Sequence, residues 1–125
     1  MTTLENILST LAGMTVEGAN GLFLEDMASK LLDLNECEPA FKGYQPKGFK
    51  NAYPNVICVS INGEVIHGIP DDRKFQDGDV VKIDIGLKDK EGQFDDGATT
   101  VVVGRASAAV RRLIKGTQEA LEAGV

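Results

Sequence analysis

The chain has 125 residues, of which 42% are hydrophobic and 26% charged, and carries a net charge of −6. That is one domain's worth of chain, or part of a larger one, with an ordinary globular composition and enough apolar residues for a core. The acidity argues against a nucleic-acid surface, which needs a basic patch, and no apolar run approaches the roughly 18 residues of a membrane span.

The N-terminal stretch MTTLENILSTLAG has no basic segment ahead of its apolar residues, so it does not read as a secretory signal. Leu4, Ile7, Leu8 and Leu11 fall at helical spacing, which predicts a short helix over residues 3–12 ending near Gly13. Residues 14–21 read as loop. A second helix follows over 22–34, with Leu24, Met27, Ala28, Leu31 and Leu32 as its core stripe. Glu25 and Asp26 are placed in its first turn, where the helix dipole favours them.

Residues 39–54, PAFKGYQPKGFKNAYP, hold three prolines, two glycines and four aromatics. Aromatics in such a loop either cover a core edge or line a pocket, and composition leaves the two evenly balanced. VICVSI (56–61) is a strand, and Asn62-Gly63 is a tight-turn signal leading to His67-Gly68-Ile69-Pro70. A hairpin then spans Val80–Gly104. Val81, Ile83, Ile85 and Leu87 alternate with Lys82, Asp84 and Gly86, the signature of a half-buried strand. Beyond Gly104, Ser107 is a plausible N-cap for a helix whose stripe is Val110, Leu113, Ile114, Thr117 and Leu121, and Gly124 is a candidate C′ residue. Arg111, Arg112 and Lys115 on it read as a solvated face. The order of elements is α+β with an antiparallel sheet.

Three features could carry chemistry. With the hairpin turn centred near Lys90, Asp84 lies roughly opposite Asp96, and opposed carboxylates require either open solvent or a cation between them. A pair of hairpin aspartates is more often solvated than metal-bound, yet Asp84 interrupts an apolar run where strand propensity disfavours it. Carboxylate ligands suit Mn, Fe or Co better than a thiolate-selective ion. Asp95 alternates to the other face and is expected in solvent, as are Asp71 and Asp72. His67, the one histidine, precedes a proline-locked turn and could move a proton or orient an amide, although a lone histidine is more often structural. Cys58 lies mid-strand, where an inert buried thiol outweighs a nucleophile. Cys37 and Cys58, in an acidic chain without an export signal, are expected to be reduced and the protein cytoplasmic. No GxSxG elbow, phosphate-cradling loop or CxxC is present.

CVSINGEVIHGIP, DGDVVKIDIGL and DDGATTVVVG, in that order, strongly resemble the type I methionine aminopeptidases, metallopeptidases of the pita-bread fold, from about Met14 to the end of the chain. The resemblance implies an α+β N-terminal half of a pita-bread catalytic domain, with residues 1–125 forming a single incomplete domain. It implies two divalent metal ions (Co, Mn, Fe or Zn), with Asp84 chelating one and Asp96, eight residues before Gly104, bridging both. It further implies that His67 contacts the substrate and assists proton transfer. Tyr44, Tyr53 and Cys58 match positions lining the methionine pocket, and Phe41 falls beside them. The loop between Tyr44 and Tyr53 is longer than the family's compact form. The implied reaction is removal of the initiator methionine from nascent peptides by metal-activated water.

The family's remaining ligands, a histidine and two glutamates, belong to a second half not found in these residues. The isolated chain is therefore expected to be inactive and to bind metal weakly. Two other readings stand beside this one: a non-catalytic pita-bread interaction module, and a natural half-protein that needs a partner chain. Neither nucleic acid nor membrane is expected as a partner.

Overall fold

A computed structural model describes residues 1–45, 47–48, 50–64 and 68–124. Helix α1 (Thr3–Gly13) starts where Thr2 Oγ1 accepts the Glu5 N–H at 3.1 Å. Helix α2 (Gly21–Leu34) starts where Asn20 Oδ1 accepts the Phe23 N–H at 2.8 Å, so an unanticipated asparagine cap sets its first residue. Beginning at Gly21, the helix has no acidic residue in its first turn. The expected dipole role of Glu25 and Asp26 therefore falls away, and Glu25 has a different partner, described below.

Strands β1 (Glu38–Pro39), β2 (Ile57–Ile61), β3 (Val80–Lys88) and β4 (Phe94–Val102) form one antiparallel sheet. β3 is central. β4 runs along one edge for its full length, while β2 and then β1 share the other. The alternation read in the sequence is the burial pattern: Val81, Ile83, Ile85 and Leu87 are all buried. They meet Leu4, Ile7 and Leu11 of α1 and Leu24, Ala28 and Leu32 of α2 in a single core. Both helices thus cover one face of the sheet. The opposite face, carrying Asp84, Gly86, Asp96 and Ala98, is turned away from them.

The hairpin register differs from expectation. Asp89 organises residues 89–93: its Oδ1 accepts the N–H groups of Glu91 and Gln93, both at 2.9 Å, and its own N–H donates to the Gln93 carbonyl. Gly92, with φ +85°, completes the loop in a conformation that favours glycine. The turn is thereby centred at Glu91, and Asp84 pairs with Ala98 while Asp96 pairs with Gly86.

Helix α3 (Ala108–Gly124) is capped by Ser107, whose Oγ accepts the Val110 N–H at 3.1 Å. Gly124 is its last residue and not a C′ position. None of its described residues is buried, and Leu113 and Leu121 are 70% and 69% exposed. Its apolar stripe is therefore largely uncovered, with Val110 and Ile114 half-buried.

Candidate functional site

The two aspartates are not directly opposed, so electrostatic repulsion across a cross-strand pair is not what marks them. They are diagonal neighbours on one face, two positions out of register. Diagonal positions lie about 7–8 Å apart at the backbone. That spacing leaves room for a cation between the two carboxylates. Their chemistry fits a divalent one, since carboxylates offer hard oxygen donors. Among the described residues, no group of three or more His, Cys, Asp or Glu side chains is placed to hold a metal ion.

Both aspartates line a cavity of about 810 Å³. Phe41, Tyr44, Tyr53 and Cys58 line it as well, so three of the loop's four aromatics face a pocket, and the fourth, Phe49, lies outside the described residues. Two hydrogen bonds close the neck of that loop: Gly43 N–H to the Tyr53 carbonyl at 2.9 Å and Tyr53 N–H to the Tyr44 carbonyl at 2.7 Å. The Tyr53 hydroxyl then reaches inward, donating to the Ile57 carbonyl at 2.8 Å with the Gly68 carbonyl at 3.4 Å. Cys58, directly opposite Asp84 in the sheet, forms the wall beside it. Gly68 is fixed against β2 by its N–H to the buried Ser60 Oγ and by its carbonyl to the Val59 N–H, both at 2.9 Å. His67, its neighbour in sequence, lies outside the described residues, as do Val65 and Ile66.

Burial pushes the Cys58 thiol up from its ordinary value; the Tyr53 hydroxyl partly offsets this and Asp84 adds to it. The thiol is thus protonated at neutral pH, which suits an apolar wall and not a nucleophile or metal ligand. Burial likewise raises the Tyr53 phenol, followed by its contact with Cys58. Both cysteines are free and buried. Asp95 pairs with Leu87 on the helix-facing side and is exposed, as expected, although it also reaches the cavity rim. Asp71 is less free than expected: its carboxylate holds Arg73 at 2.8 Å.

Residues 7–125 match metallopeptidase family M24. The chain belongs to that family. It is 38% identical over 116 residues to a methionine aminopeptidase of Aquifex aeolicus, covering 92% of this chain and 45% of that protein. To the methionine aminopeptidase of Borreliella burgdorferi it is 40% identical over 110 residues, covering 88% of this chain and 41% of that one. Among solved structures, the methionine aminopeptidase of Thermotoga maritima superposes with a TM-score of 0.86 at 30% identity, over 96% of this chain and 46% of the other. The fold is accordingly the pita-bread fold of these proteins, and the chain spans about half the length of the relatives it matches. An Xaa-Pro dipeptidase of Bacillus anthracis, 14% identical with a TM-score of 0.69, shares the fold.

Sequence reasoning missed Gly86, Phe94 and Ile69, which also line the cavity. Phe94 was legible in principle: it shares the even-numbered parity of Asp96 and Ala98, and extending β4 to residue 94 places it on the same face. Ile69 gave no periodic signal, because it lies in an irregular segment.

Proposed function

We propose that this chain is the N-terminal half of a methionine aminopeptidase domain, acting on the N-terminal methionine of nascent peptides in the cytoplasm. One observation carries the reading. The two hairpin aspartates and an apolar wall of Phe41, Tyr44, Tyr53 and protonated Cys58 share a single cavity, so a hydrolytic centre and a side-chain pocket adjoin. Asp84 and Asp96 would both serve as carboxylate ligands to divalent metal ions. When bound, such ions supply a water of lowered pKa and polarise the scissile carbonyl. Phe41, Tyr44, Tyr53 and Cys58 take the unbranched, sulfur-bearing side chain into contacts that aromatic rings and a thiol favour. The role given to His67, proton transfer near the scissile amide, comes from the family resemblance.

The reaction needs more ligands than two carboxylates, so the 125-residue chain by itself is inactive. The largely uncovered stripe of α3 supports a chain that is completed by further protein, whether continuous or separate. The test is methionine release from a Met-Ala-Ser peptide. The expected result is no release by this chain, release by the protein completed with a second half, and a loss of at least about a hundredfold for Asp84→Asn or Asp96→Asn in the completed protein, given that even outer-shell changes cost about 10–100-fold. Release by the isolated chain, or full activity of either variant, would overturn the proposal.

A further inference from the structure

Glu25 projects from α2, on the helix-covered side of the sheet, and its carboxylate accepts three backbone hydrogen bonds from a segment more than thirty residues away. Oε1 accepts from the Val56 and Ile57 N–H groups at 3.0 and 3.1 Å, and Oε2 accepts from the Val56 N–H at 2.8 Å. These amides lie where the aromatic loop enters β2, one and two residues before Cys58. The next peptide unit is gripped as well, since the Ile57 carbonyl accepts the Tyr53 hydroxyl. Val56 and Ile57 are thus held by a carboxylate through their N–H groups, and Ile57 by a phenol through its carbonyl. Hydrogen bonds to an ionised acceptor are the stronger kind, and a strand entry without them would present amides with no partner in the sheet.

We infer that Glu25 is a positioning residue for the cavity: its carboxylate sets the entry of β2 and thereby fixes Cys58 and Tyr53 as a rigid wall beside Asp84. That this wall selects a substrate side chain rests on the aminopeptidase reading. The clamp itself does not, and thiol chemistry tests it without any peptidase activity.

The experiment treats the full chain, Glu25→Ala and Glu25→Gln with iodoacetamide and maps modification at Cys58 and Cys37 by mass spectrometry. Cys37, buried in the helix–sheet core, reports global opening. Glu25→Ala is expected to accelerate Cys58 modification about tenfold or more through local opening, with Cys37 unchanged. Glu25→Gln removes the same negative charge near the thiol but keeps the Oε1 acceptor, so its Cys58 rate should stay near wild type. Amide exchange in Glu25→Ala gives a second measurement: Val56 and Ile57, which both lose their carboxylate acceptor, should exchange faster than in the wild type. Equal acceleration of Cys58 in both variants would assign the effect to charge, parallel acceleration of both thiols would assign it to general stability, and unchanged Val56 exchange would show no clamp. Any of the three overturns the inference.

Discussion

Gly86 faces Asp96 across the hairpin and lies beneath the Phe41 ring. A Cβ at this position would come within 2.6 Å of Phe41 Cε1 and 3.1 Å of the Ala40 Cβ. The bare backbone is what lets the 40–41 segment cross from the sheet edge onto the face that carries the aspartates. Gly86→Ala should therefore displace Phe41 and cost about 1–3 kcal/mol through overpacking, seen as a lower urea midpoint at unchanged m-value. Ser60 is a second such position. It is 2% exposed, and its hydroxyl is the acceptor for the Gly68 N–H. Ser60→Ala leaves a buried donor without its partner, at a cost of about 1–3 kcal/mol, again measured by urea denaturation. Residue identities such as Asp84, Cys58 and the loop aromatics were visible as candidates because each breaks a local rule: a charge in an apolar strand, or aromatics among prolines and glycines. Glu25 breaks none. A glutamate on an amphipathic helix looks solvated, and its partners lie 31 and 32 positions onward, beyond the reach of periodicity.

At the scale of elements, helices and strands were legible because 3.6- and 2-residue periodicities mark one covered face of each. Register was not. A one-residue shift in turn centre moves every pairing by two, and the centre is chosen by side-chain chemistry inside the loop. Asp89 makes that choice by capping two amides, so Asp89→Ala should loosen residues 89–93 at a cost of about 1 kcal/mol. Amide exchange should rise at Gln93 and Glu91 and stay slow at Ile83 and Ile85, whose side chains are fully buried. Unchanged exchange at Glu91 and Gln93 in that variant would mean that the hairpin is held by its strands and not by its turn. The same register turns an opposed aspartate pair into a diagonal one on the face away from the helices.

Across the whole molecule, two consequences follow from what is buried and what is not. The folded state keeps Cys37, Cys58 and Tyr53 protonated above their ordinary values, mainly through burial. A raised value means that the native state binds protons which the unfolded state releases. Their contribution is therefore complete below the ordinary thiol value of 9.0 and declines as pH rises beyond it. Urea midpoints should accordingly hold steady from neutral pH to about 9 and then fall; a midpoint that rises above pH 9 would contradict this. Helix α3 is the converse case. With no buried described residue, and because helices in proteins are stabilised mostly by packing of an apolar face, its amides should exchange far faster than those of α1 and α2. Addition of whatever covers its Val110, Leu113 and Leu121 stripe should slow them.

The most direct test of a half-site built on Asp84 and Asp96 is a Mn²⁺ titration of the 125-residue chain, followed by the loss of the free-ion electron paramagnetic resonance signal. Weak binding is expected, lost in Asp84→Asn and in Asp96→Asn and retained in Asp95→Asn, because Asp95 belongs to the other face. Binding that survives both the Asp84 and Asp96 changes, or that disappears only with Asp95, would place the metal elsewhere and dissolve the link between the hairpin and the chemistry.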